Sequence, residues 1–140
     1  MWTATTRIAT TASPQALWRL LEDVAGWTNW NAGIGRVSLA GPFATGSAIE
    51  TKPPGMDALR STVCDVRPHE GFVDETVLQD TRFLVSHELH ALPAGGTRIT
   101  WAVRVEGPEA ATLGPLVTAD FPEVIAALKA LAGQASAPAA

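Results

Sequence analysis

One cysteine, Cys64, stands in 140 residues, so no internal disulfide is possible and the small disulfide-stapled secreted scaffolds are excluded. Basic clusters are missing too. The 10 Lys and Arg form no run and stand against 14 Asp and Glu, a formal charge of −4. Phosphate backbones are gripped chiefly by clustered Lys and Arg, so no nucleic-acid partner is expected. No segment pairs an apolar face with a basic one, as a helix lying on a membrane would. Nor does any apolar run approach the ~20 residues that span a bilayer, so membrane insertion is not expected. The stretch Met1 to Arg7 lacks a basic segment followed by an apolar one. No signal peptide is read from it, and the expected location is cytoplasmic.

What the chain does have is apolar substance. Hydrophobic residues make up 46% and charged residues 17%. That composition suits one globular domain with ample interior surface, a cavity wall included, and with no need of disulfides or metal.

Periodicity orders the elements. Trp2, Ala4, Thr6 and Ile8 share one parity of a strand. Ser13-Pro14 then marks a helix start, the serine capping free N–H groups and the proline sitting where its missing N–H costs nothing. Leu17, Leu21 and Val24 form the stripe of a short helix that Gly26 is expected to end. Trp27 to Asn31 reads as a second short helix or a tight loop. From Ile34 to Glu106 short alternating runs are separated by Gly41-Pro42, Pro53-Pro54-Gly55, Pro68 and Pro93-Ala94-Gly95-Gly96. Tight connections between strands imply an antiparallel meander of about six strands, because parallel neighbours need long crossovers. After Gly107-Pro108, Leu113, Val117, Phe121, Val124, Leu128 and Leu131 trace one helical stripe. Pro122 predicts a kink or re-start in it, with Asp120 and Glu123 as a capping box. The domain is expected over 1–133, with Gly133 closing the helix and 134–140 a flexible tail.

This order, together with several residues, resembles the START/Bet v 1-like (SRPBCC) superfamily and its bacterial polyketide cyclase/dehydrase and lipid-transport group. The matching residues are Ser13 to Trp18, Leu21-Glu22-Asp23-Val24 with Trp27 and Trp30, and Gly41-Pro42-Phe43 with Gly46. Val66 with Pro68, His87-Glu88-Leu89 and Gly95 to Thr100 complete the set. The resemblance runs from Thr3 to Leu131 and rests on the ordered set. It implies an α+β helix-grip fold, a seven-stranded antiparallel sheet curved around a long C-terminal helix, with a cavity between them. It also implies apolar ligands, with some relatives acting as cyclases or dehydratases. No catalytic signature is shared across such a family, so the resemblance supplies a container and leaves the reaction open.

Within that frame the expected ligand-binding residues are Trp27, Trp30, Phe72, Phe83, His87 and Trp101. His87 shares its strand parity with Phe83, Val85 and Leu89, the apolar and therefore inward side. An inward histidine can orient a carbonyl or carry a proton, or simply be a core residue with one hydrogen bond. Trp101 shares its side with Ile99 and Val103. Trp27 and Trp30 fall at the helix-to-strand junction, where the resemblance places a cavity mouth, and Trp18 reads as core. Asp74 and Glu75 are neighbours on one strand, so only one of them faces inward. His90 points away from His87, His69 sits beside Pro68 in a turn, and Cys64 and Asp65 have no companions at ligand spacing, so neither metal nor cofactor is expected.

Three readings of function follow. The first is a carrier or sensor of a small hydrophobic molecule, lipid- or polyketide-like. The second is a cyclase/dehydratase-type enzyme, which requires a second titratable group within reach of the His87 ring. The third is a protein-interaction module, which requires an exposed apolar patch. A monomer or a homodimer is compatible with all three.

Overall fold

The computed structural model describes residues 1–136. Its strands are β1 (Trp2–Thr10), β2 (Arg36–Ala40), β3 (Ala48–Lys52), β4 (Leu59–Arg67), β5 (Gly71–Leu78), β6 (Thr81–Ala91) and β7 (Thr97–Glu106). They form one antiparallel sheet in the order β1-β7-β6-β5-β4-β3-β2. Every neighbour except the β1–β7 pair is consecutive in sequence, the meander that the turn residues predict. β1 closes the order by pairing along its length with β7, Trp2 opposite Val105 and Thr10 opposite Thr97.

Strand alternation resolves into a concave inner face. Register lines up Thr6, Trp101, His87 and Phe72 across four strands, with Ala4, Val103, Val85 and Asp74 one step along. Gly71 lets β5 approach β6 closely at this level. Its φ is +151°, and a Cβ there would run into the backbone carbonyl of His87, so a residue with a side chain is excluded on both counts. A bulge between Cys64 and Arg67 bends β4 where it leaves β5.

Helix α1 (Pro14–Glu22) starts as expected: the Ser13 Oγ accepts from the Ala16 N–H at 3.1 Å, and Pro14 opens the first turn. It buries Leu17, Trp18 and Leu21. The helix stops at Glu22, earlier than Gly26, because the chain tightens into a 3-10 helix over Val24–Asn29 that takes in Gly26. The segment around Trp27 is therefore the second short helix.

The C-terminal stripe folds as two helices, α2 (Ala110–Thr118) and α3 (Phe121–Ser136). The re-start falls immediately before Pro122, whose missing N–H is harmless in a first turn. α2 packs on β7 and β1, and α3 on β1 and α1. Phe121, Val124, Ile125, Leu128 and Ala132 are buried along α3. A fully buried Leu or Ile contributes about 1.5–3 kcal/mol, so α3 is held mainly by this face.

Two details depart from expectation. The Asp120 carboxylate lies against Gly33 instead of capping α3, while its backbone carbonyl accepts from the Val124 N–H at 2.9 Å. Gly133 does not close the helix. α3 runs on through it to Ser136, since a glycine within a well-packed helix costs only about 1 kcal/mol relative to alanine. The expected tail thus begins as helix, and 137–140 lie outside the described residues. No helix among the described residues is long and apolar enough to cross a membrane.

Candidate functional site

Between the inner face of the sheet, the 3-10 helix and the α2–α3 junction lies a cavity of about 180 Å³. Aromatic rings dominate its wall. Trp27 and Trp30 come from the 3-10 helix and its end, Phe72 from β5, Trp101 from β7 and Phe121 from the first turn of α3. The rings brace one another. Trp27 stacks on Phe72 with centroids 6.1 Å apart, and Trp30 meets Trp101 edge-on at 6.2 Å. Trp101 in turn meets Phe121 edge-on at 5.4 Å. Such arrangements are worth about 0.5–1.5 kcal/mol per pair beyond the area they bury, and they fix the wall in place.

The polar lining is sparse: Asn31, Thr51, Ser61, Asp74 and His87, with no Lys or Arg among the lining residues. Its centre is a pair. Nε2 of His87 and Oδ2 of Asp74 are 2.8 Å apart. Both side chains are largely covered, 10% and 18% exposed, so solvent screens the contact little. A carboxylate only accepts, so in the neutral imidazole the proton sits on Nε2, facing Asp74. The ring is fixed from both sides: it stacks on Phe72 at 4.2 Å and 11°, and Trp101 stands edge-on to it at 4.5 Å. Of the two partners Asp74 is the more open, and its Oδ1 makes no hydrogen bond among the described residues.

Three buried nitrogens around this pair also lack hydrogen-bond partners among the described residues: Nδ1 of His87 and Nε1 of Trp30 and of Trp101. All three rings line the cavity. Trp27 shows the ordinary arrangement, its Nε1 donating to the Leu21 carbonyl at 2.9 Å. A buried polar group left unpaired costs roughly 1–3 kcal/mol, so these three rings differ in kind from the fully bonded Trp27.

Five of the six residues singled out from the sequence, Trp27, Trp30, Phe72, His87 and Trp101, border this one cavity. Phe83 does not. It is buried, but it stands opposite Thr76 and Val105, two residues along β6 from Val85, at which the cavity wall ends on that strand. Its inward parity made it core rather than wall. Trp18 is core as expected, meeting Phe43 and His69 edge-on. His90 faces outward and pairs with Glu88 at 3.1 Å. Among the described residues no group of three or more His, Cys, Asp or Glu is placed to hold a metal ion.

Asp74 is the functional candidate that sequence reasoning left undecided. The signal was present in its parity: it lies two residues from Phe72, so an inward Phe72 makes Asp74 inward as well. Val117 and Phe121 belong to the helical stripe, and nothing in the stripe separates wall residues from packing residues.

Comparison with known proteins agrees with this geometry. The sequence model of the family described as polyketide cyclase / dehydrase and lipid transport matches residues 1–133. No curated protein matches by sequence. Among solved structures, a structural-genomics protein from Mesorhizobium loti superposes with a TM-score of 0.81 at 18% identity, over 97% of this chain and 100% of that one. Norcoclaurine synthase from Thalictrum flavum, solved with dopamine and hydroxybenzaldehyde, gives 0.76 at 10% identity, over 97% and 88%. The di-domain ARO/CYC StfQ of the steffimycin biosynthetic pathway gives 0.78 at 12% identity, over 96% of this chain and 51% of that one. At these identities the likeness is one of fold, the helix grip.

Proposed function

The chain belongs to the polyketide cyclase / dehydrase and lipid transport family, and from that premise we propose that it binds a small, largely apolar molecule in the aromatic cavity, as a carrier or sensor. The observation that carries this reading is the wall itself, five aromatic side chains around about 180 Å³ with few polar groups. Sites of this kind hold their ligands by apolar area and orient them by a small number of placed polar groups. Native mass spectrometry of protein purified from its own host, followed by denaturing extraction, tests it. A discrete stoichiometric small-molecule adduct is the expected result. No adduct, and no thermal shift with any of a panel of apolar compounds, would remove the proposal.

A second reading, an enzyme that moves a proton on its ligand, is favoured by one specific observation. The reading requires a titratable group within hydrogen-bond reach of the His87 ring, and Asp74 lies at 2.8 Å. In it Asp74 faces the ligand and exchanges the proton, while His87 steadies the carboxyl group from behind. Any extracted ligand supplies the test. Turnover by the native chain that is lost in both Asp74→Ala and His87→Ala would establish an enzyme. Unchanged ligand after prolonged incubation would leave a binding protein. No comparable observation favours an interaction module: of the exposed large apolar residues, Val77 and Leu78 are neighbours at the end of β5, and Met1, Met56 and Leu116 lie on three other segments.

A further inference from the structure

Resting on that reading of the cavity, we propose that the guest is an apolar molecule with a hydrogen-bond donor at its polar end, an alcohol or an amine, held by Asp74. Carboxylic acids are refused.

Charge on the wall gives the first reason. Among the described residues Asp74 is the only Asp or Glu that lines the cavity, and no Lys or Arg lines it. An anionic head group drawn in here leaves water for a carboxylate and no cation. Its own desolvation and the repulsion between like charges then act in the same direction. The remaining donors of the wall bring no charge to offset this. The Ser61 hydroxyl is engaged with that of Thr76, and Asn31 and Thr51 are uncharged.

The geometry of the Asp74–His87 pair gives the second. Oδ2 of Asp74 is taken by Nε2 of His87 at 2.8 Å, while Oδ1 has no partner among the described residues and keeps open surface. A carboxylate oxygen only accepts. The imidazole offers a guest no proton either. A proton on Nε2 points at Asp74, and in that tautomer Nδ1 is a further acceptor; a proton on Nδ1 sits at a buried atom. Whichever ring nitrogen carries it, the guest meets an open acceptor here and no open donor on the ring. Hydroxyl and amine head groups answer that acceptor alike, and a carboxylate cannot.

The cavity is partly open, so the length of the guest is left free and affinities are compared within one carbon skeleton. Calorimetric titration of the intact chain at fixed ionic strength uses two skeletons. One set is benzyl alcohol, benzylamine and benzoate; the other is octanol, octylamine and octanoate. In each, the alcohol and the amine are expected to bind about tenfold more tightly than the carboxylate, the difference that one good hydrogen bond makes. Asp74→Asn removes the charge and nearly keeps the shape, and it is expected to narrow that gap to within about threefold. A carboxylate that binds as tightly as its alcohol or its amine overturns the donor head group and leaves the apolar-cavity reading standing. A gap that Asp74→Asn leaves unchanged does the same, since the discrimination then lies elsewhere. If only one skeleton binds, that one decides, and binding of neither removes the apolar-cavity reading as well. If Asp74→Asn does not fold, amine against carboxylate on the native chain decides, because both head groups are charged and strongly hydrated.

Discussion

Phe72 and His87 are register partners on adjacent strands, and their rings lie 4.2 Å apart and within 11° of parallel. The stacking holds the imidazole edge toward Asp74, so the polar pair is positioned by an apolar contact. Gly71, which precedes Phe72, lets the two strands come close enough for this contact.

A double-mutant cycle with Asp74→Ala and His87→Ala should therefore return a coupling energy of about 1.5–3 kcal/mol in urea unfolding, the range of a hydrogen bond to a charged group. Both side chains are more than four-fifths covered, so the value belongs in this range rather than with exposed pairs. A coupling below about 0.5 kcal/mol would mean that the two groups stand side by side without supporting each other.

Phe83 and Trp101 separate core from wall. Truncating either to alanine is expected to cost roughly 3–5 kcal/mol, because both are buried on the inner face. Only Trp101→Ala should also change the affinity of a cavity ligand, since Trp101 lines the cavity and Phe83 does not. Equal losses of affinity in the two variants would extend the site beyond Val85.

Gly114→Ala sets two effects against each other. Alanine in a helix interior is ordinarily favourable by about 1 kcal/mol over glycine. Here the added Cβ would enter the indole of Trp2, against which α2 packs closely. Overpacking of this kind costs about 1–3 kcal/mol, so the net effect on the unfolding midpoint should be destabilising. A stabilised variant would show that α2 can lift from β1 freely.

Cys64 supplies the pH dependence. Burial, followed by the negative charges of Glu75 and Asp74, pushes its thiol pKa above the ordinary value. The folded chain therefore holds this proton more firmly than the unfolded one. The associated stability is fully present below the ordinary thiol pKa and declines as the pH rises through the raised one. Alkylation by iodoacetamide near neutral pH should be slower than for a free thiol, and Cys64→Ser should flatten the alkaline fall in stability. Rapid alkylation of the native protein would contradict this.

The legible part of this chain was its alternation. Ile99, Trp101, Val103 and Val105 on β7, and Phe83, Val85, His87 and Leu89 on β6, show their inward side in sequence because side chains on a strand repeat every two residues. The pairing of Asp74 with His87 was not legible. The two are 13 residues apart, and their contact depends on the register of β5 against β6, which the short turn between Leu78 and Thr81 sets. That Phe83 lies outside this cavity was not legible for a related reason. Parity tells which side of the sheet a residue occupies, but not how far along the strand an interior space extends.

The interruption between α2 and α3 has a bearing on how such a site can change. Val117 stands just before the break and Phe121 just after it, and both border the cavity. The ceiling is thus laid in two pieces over one vault: seven strands in a single sheet beneath, two separate helices above. The same buried residues, Phe72 and Trp101 on the sheet and Phe121 on α3, thus shape the space and hold the fold, so a change of guest that requires altering them also costs stability.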